Sequence, residues 1–303
     1  MPTLFWPIFY VLASAIFMAT IGIFARFAAL PAEHITFFRL AIGALCVFVY
    51  LFLSRQYKTI WHKPAWSTVL NGIMLASFMV CYIEAMQYTS MANAIMLIYL
   101  APLLAAVVAH FIYHERLSAA SLAAILLALF GFAMMMNFEP AVAYSTQERL
   151  GLFYGVLSML SYGAFILLNR KKTTQTPYQS TLVQLLVGAL CVLPFVLAKP
   201  VTISMHQAAW LLAIGIIPGF LAMLFAVKAL RELPAMTFST LAYIEPVAVV
   251  MLAWFIFDEQ LGGLQQAGCG LIIAAGIGQS YVEHVNKKRR ALKAKAETCA
   301  SAQ

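Results

Sequence analysis

Two stretches, YLAPLLAAVVAHFIYHERL at residues 99–117 and YIEPVAVVMLAWFIFDEQL at residues 243–261, decide how this chain is read. They lie 144 positions apart, and that offset holds without a gap from residue 9 to about residue 132. Phe9 and Tyr10 return as Phe153 and Tyr154, Ser14 as Ser158, Arg26 as Arg170 and Trp66 as Trp210. Tyr99, Pro102, Glu115 and Leu117 return as Tyr243, Pro246, Glu259 and Leu261. In so apolar a sequence, matches of Leu and Ala carry little weight. Trp, Tyr, Pro, Arg and Glu in one register are hard to obtain by chance. A duplicated apolar chain points to a membrane transporter, because many such folds are built from two repeats around a central site.

Composition narrows the class further. The chain is 63% hydrophobic and 10% charged, against about 25% charged residues in an average soluble domain. Water cannot cover that much apolar surface, so lipid is the expected solvent and partner. The formal charge of +8 comes from short basic clusters between apolar runs. They read as topology signals rather than as a nucleic-acid footprint. Cys46, Cys81, Cys191 and Cys269 sit inside apolar runs and Cys299 in a polar tail, with no metal-ligand or disulfide spacing. No metal or cofactor is expected. The first apolar run ends at Arg26 without a small-residue cleavage site, which reads as a retained span rather than a signal peptide.

A helix crossing the hydrocarbon core needs about 20 mostly apolar residues. On that scale the sequence predicts spans near 5–26, 34–53, 66–88, 92–113 and 118–137, then 150–169, 178–198, 209–229, 235–257 and 263–282. Arg55, Lys58, Lys63, Arg116, Arg170, Lys171, Lys172, Lys228, Arg231 and the tail from Lys287 to Lys295 then fall on one side. Arg26, Arg39, Arg149 and Lys199 are left toward the other. The positive-inside bias puts both termini in the cytoplasm, on the inner membrane. Each copy holds an odd number of spans, so the second enters from the opposite side. The expected architecture is all-α: ten transmembrane helices as two inverted five-helix repeats, 5–137 and 150–282, followed by a basic cytoplasmic tail, 283–303.

The Glu-Pro in mid-span, the small and aromatic stretch after it, the acidic residue at the span end and the Gly-rich QQAGCGLIIAAGI at 265–277 closely resemble the EamA-type family of the drug/metabolite transporter superfamily. The first copy, continued by SLAAILLALFGF at 121–132, resembles the same motif with Ala101 in place of the Glu. The resemblance covers residues 5 to 282. It implies ten helices in two inverted repeats with cytoplasmic ends, and secondary transport, most often export, of small metabolites such as amino acids. It does not carry the substrate's identity.

Glu245 is the sharpest candidate for chemistry. It lies about ten residues into its span, where a charge costs about 2.5–3.5 kcal/mol. A carboxyl at that depth either faces a wet cavity or takes a proton, and both suit substrate binding or proton coupling. A hydrogen bond that fixes helix packing is the bland alternative. Pro246 and Pro102 each lack an N–H and free the carbonyls of Ala242 and Ile98, which lipid cannot satisfy. Such kinks are expected either to face a cavity, with Tyr99 and Tyr243 reaching into it, or to serve helix packing with both tyrosines buried; Asn93 is a weaker polar candidate on the same helix. Arg39 can attract a carboxylate, with pairing to Glu33 or a lipid headgroup as the alternative. Glu84 and Lys228 occupy one repeat position with opposite charge, at opposite membrane faces. Each lines its own vestibule, or, for Lys228, snorkels to the headgroups. Glu115 and Glu259 read as helix-end residues and His110 as a packing histidine. Gly270, Ala274 and Gly278 recur every four residues, as do Ala120, Ala124 and Ala128. That spacing fits packing within the bundle first and a homodimer seam second.

Other classes fit less well. No phosphate-cradling Gly-Lys-Ser/Thr loop and no Gly-x-Ser-x-Gly elbow occur, and Ser118 stands where a zinc-protease motif from His114 needs its second His. An intramembrane enzyme needs paired polar residues at one depth. A non-transporting scaffold or insertion factor does not need mid-span Glu-Pro kinks in a duplicated frame.

Overall fold

A computed structural model of the chain describes residues 5–55, 63–89, 91–113, 118–135, 138, 145–171, 174–257 and 262–300. All regular structure among these residues is helical. In chain order the helices are α1 (Phe5–Ala28), α2 (Ala32–Leu53), α3 (Trp66–Tyr88), α4 (Met91–Tyr113) and α5 (Ala119–Met135). There follow α6 (Thr146–Arg170), α7 (Pro177–Ala198), α8 (Met205–Ile214), a π-helical turn (Gly215–Leu221), α9 (Ala222–Glu232), α10 (Ala235–Ala242), α11 (Ile244–Phe257) and α12 (Gly263–Ala300).

The helix starts of the second copy are written in its loops. Ser145 and Glu148 form a reciprocal capping box at α6, as do Ser204 and Gln207 at α8. Thr176 caps α7, and Pro177 occupies its first turn, where a missing N–H costs nothing. Among the described residues seven runs are long and apolar enough to cross a membrane: Phe5–Ala28, Ala32–Leu53, Trp66–Tyr88, Thr146–Arg170, Pro177–Ala198, Met205–Glu232 and Ala235–Ile256. Leu97–Tyr113 and Ala119–Met135 are shorter apolar helices. The outside of the bundle is apolar, with Leu53, Phe111 and Phe255 exposed. Beyond the last predicted span, α12 continues as one helix to Ala300.

Two predicted helices differ from expectation. The sequence predicts one kinked helix over 235–257, but the chain breaks at Tyr243 into α10 and α11. Pro246 leaves the ladder open at Ala242, and the Tyr243 hydroxyl is fastened to α4 across the bundle, which places the break at that residue. The counterpart α4 carries Pro102 without a break. The second difference is the π-turn, which sits around Pro218 inside a span predicted as regular. A proline cannot donate to the carbonyl four residues back, and the widened register absorbs the loss.

Helices pack mainly across the two copies rather than within them. In the first copy α1 lies on α8, the π-turn, α9 and α11; its counterpart α6 lies on α3 and α4. α2 meets α7, α5 meets α12 and α4 meets α10. Hydrogen bonds repeat this pairing. Ser14 Oγ donates to the Ala222 carbonyl at 2.8 Å, and Ser158 Oγ donates to the Phe78 carbonyl at 2.9 Å. Ser158 and Ala222 are the counterparts, 144 positions on, of Ser14 and Phe78. The small residues divide in use. Ala124 and Ala128 are buried as expected, and α5 approaches α12 through Gly131 and Gly268. Gly270 and Gly278 do not pack within the bundle, since a Cβ added to either meets nothing within 4 Å.

Candidate functional site

The middle of the bundle holds two opposite charges. Arg39 stands in the second turn of α2, and its Nη2 donates to the Sδ of Met18 at 3.0 Å. Its Nε is buried and has no hydrogen-bond partner. Glu245 opens the first turn of α11, just past the break at Tyr243. Helix N-termini favour negative charge, so the break supplies a partial positive pole beside the carboxylate. Glu245 lies within electrostatic reach of Arg39 on α2, Tyr82 on α3, Tyr99 on α4 and Tyr162 on α6. Arg39 and Glu245 are enclosed by protein, yet each keeps part of its surface open.

Both copies contribute to this centre, but not equally. Met18 touches Arg39, and Tyr162, its counterpart 144 positions on, lies within electrostatic reach of the same guanidinium. Val183 stands where the second copy would repeat Arg39, and Ala101 where the first would carry Glu245. Neither charge is repeated in the other copy.

Tyr99 and Tyr243 meet each other. The Tyr243 hydroxyl donates to the Tyr99 carbonyl, and the ring centroids are 5.9 Å apart. Tyr243 is fully buried, whereas Tyr99 is half-buried and packs on Phe132 at 4.5 Å. Tyr243 is thus a fastening between the copies, and Tyr99 lies within electrostatic reach of Glu245. We expect Tyr243→Phe to lower stability by about 1 kcal/mol through the lost hydrogen bond. Tyr99→Phe, which keeps the accepting carbonyl, should leave stability nearly unchanged. Thermal melting of the two purified variants reads the difference, and equal losses would show that this bond contributes nothing.

Other predicted residues lie elsewhere. Glu33 pairs with Lys199 at 2.8 Å, which leaves Arg39 to face inward. That hydrogen bond holds the Lys199 ammonium above its ordinary range. Glu84 lies within electrostatic reach of Lys199 and Cys81. Pro102 and Pro246 are buried on α4 and α11. Asn93 belongs to α4, but its side chain lies outside the described residues, as do Glu115 and Glu259. His110 packs edge-on against Phe111 at 5.2 Å. Tyr162 and Met18 are not singled out by sequence. The available signal is the matched pair Ser14 and Ser158, one helical turn before them on the same face.

The sequence pattern of the EamA-like transporter family matches residues 5–137 and 149–278. The chain belongs to that family. It is 25% identical over 278 residues to an uncharacterized transporter, YxxF, of Bacillus subtilis (strain 168), covering 90% of this chain and 89% of the relative. It is 26% identical over 254 residues to the pseudopaline exporter CntI of Pseudomonas aeruginosa (strain UCBPP-PA14), covering 84% and 87%. A solved structure described as a crystal structure of protein shares the fold at a TM-score of 0.81, with 19% identity over 91% of this chain and 98% of that one. Family membership and the apolar spans together make this an integral, multi-pass membrane transporter.

Proposed function

We propose that this transporter exports small zwitterionic metabolites, amino acids and their derivatives among them, across the cytoplasmic membrane by alternating access. The observation that carries the reading is the enclosed pair of opposite charges, Arg39 and Glu245, at the crossing of helices from both copies. Arg39 has an unspent Nε for a carboxylate, and Glu245 can accept an ammonium. Tyr82, Tyr99 and Tyr162 offer ring faces and hydroxyls between them. The exporter role of the Pseudomonas relative supports the outward direction.

Mechanically, the doubled contacts favour two five-helix repeats related by a two-fold swap. A rotation that carries Ser14 to Ser158 and also Ala222 back to Phe78 returns to itself after two steps. With five spans in each repeat, that swap inverts the second copy in the membrane. Two mirror-related states, each open to one side, follow from such a frame. The Lys and Arg distribution supports ten spans with both termini and the 283–303 tail in the cytoplasm. Glu245 is the proposed proton-exchanging group.

Comparing metabolites inside and outside cells that lack or overproduce the protein tests this. A zwitterion should build up inside without it and outside in excess of it. Unchanged profiles for every amine-bearing acid would remove this substrate class.

A further inference from the structure

At the end of the bundle that carries Arg55, Arg170, Lys171 and Arg231, Lys228 of α9 reaches across to other helices. Its ammonium donates to Tyr178 Oη of α7 at 3.1 Å and lies 4.7 Å from that ring's centroid. It also lies 5.4 Å from the ring of Tyr10 on α1. Tyr178 stacks on Tyr50 of α2 at 4.8 Å, with the two hydroxyls 3.3 Å apart. One cation therefore joins four helices drawn from both copies. Among the described residues no carboxylate pairs with it. An ammonium has three donors, and Tyr178 takes one of them. Hydrogen bonds between two ionised partners are stronger than those to a neutral hydroxyl, so an acid group competes well for this amine. The amine is half-buried, and Tyr50 beside it is exposed.

The cage also points toward the central site. Arg39, Gly43, Cys46 and Tyr50 share one face of α2, so Tyr50 stands about 16 Å along the axis from Arg39. Between them Gly43 packs against Gly219, and the Phe220 ring lies 6.5 Å from the Tyr50 ring.

We propose that Lys228, with Tyr178, Tyr50 and Tyr10, is a carboxylate-capture site that holds this end of the bundle shut while empty. A carboxylate that takes the ammonium from the rings releases α1 and α7 from α9 and opens the path to Arg39. The use of the site rests on the transport reading, but its test does not.

The experiment uses the full chain with its native cysteines replaced and one cysteine at Met18, in phosphatidylcholine vesicles. A cationic methanethiosulfonate reagent is added on the face that carries Arg231, with acetate or equal chloride present. Acetate should speed labelling severalfold in the parent and in Lys228→Arg. Lys228→Gln should label fast from the start and ignore acetate. Acetate without effect in the parent, or with equal effect in Lys228→Gln, would overturn the proposal. Loss of the acetate effect in phosphatidylglycerol vesicles, with fast labelling throughout, would assign the cage to lipid headgroups and overturn it equally. Because labelling reads opening alone, these outcomes stay distinguishable even in a protein that moves no tested solute.

Discussion

Glu245→Gln is expected to reduce pH-driven flux to the level of empty vesicles while the protein still folds. The amide keeps the shape and hydrogen-bonding reach of the carboxyl but exchanges no proton. In the parent, protons compete with the cationic end of a solute for Glu245, so apparent affinity should fall as pH falls. In the variant that dependence should vanish. The change also leaves Arg39 without the opposing charge it faces. Among the described residues no ion pair within 4 Å joins the two, so the loss acts through longer-range attraction and costs less than the about 3–5 kcal/mol of a broken buried ion pair. A companion variant, Glu245→Gln with Arg39→Gln, separates the two effects. It should recover melting temperature without recovering flux. Unchanged pH-dependent flux in Glu245→Gln would remove Glu245 from the mechanism. An unfolded single variant rescued in both respects by the companion change would instead mark Glu245 as a packing residue.

The second large effect is expected at Gly219. A Cβ there would run into the carbonyl of Arg39 and come within 3.2 Å of the carbonyl of Ile214. On the facing helix, a Cβ at Gly43 would lie 2.9 Å from the carbonyl carbon of Gly219. Both obstacles are backbone, so no side-chain rotation relieves them and α2 must shift away from the π-turn. Overpacking of this kind costs about 1–3 kcal/mol, and the shift carries Arg39 with it. Gly219→Ala should therefore lower both thermal stability and apparent affinity for an acidic or zwitterionic solute. Gly270→Ala, which meets open space, should change stability by no more than about 0.5 kcal/mol. A Gly219→Ala protein with parental melting and affinity would show that the contact between α2 and the π-turn does not position Arg39.

Much of this is legible in the sequence because long apolar runs and a doubled register are strong signals. Apolar helices fall where spans are predicted, and among the described residues seven runs are long enough to cross a membrane. Glu245 is legible because a carboxyl in mid-span is costly wherever it is found. Its neighbours are not. Tyr162 and Met18 look like ordinary residues of an apolar helix until the fold brings α1, α2 and α6 together. By sequence, Glu33 is the most local partner for Arg39, but Lys199 reaches Glu33 from a loop more than a hundred residues away. The break at Tyr243 and the π-turn around Pro218 escape because a proline signals only a lost donor. Whether the helix bends, breaks or widens depends on what the neighbouring helices hold in place. The stripe at Gly270 and Gly278 misleads for a similar reason, since spacing says that close approach is allowed without saying to what.

The crossed packing of the copies also bears on how the chain is made. Ser14 on α1 needs the Ala222 carbonyl, which is synthesised some two hundred residues later. The broad faces of α1, α2, α3 and α5 likewise find their partners on helices that do not yet exist when they leave the ribosome. At roughly 5–20 residues per second, a gap of one repeat lasts about 7 to 30 seconds. For that interval the first five helices have almost nothing of their own to pack against. Lipid, or the machinery that inserts them, has to shelter those faces until the second half arrives, and assembly begins only once α6 emerges to pack on α3 and α4.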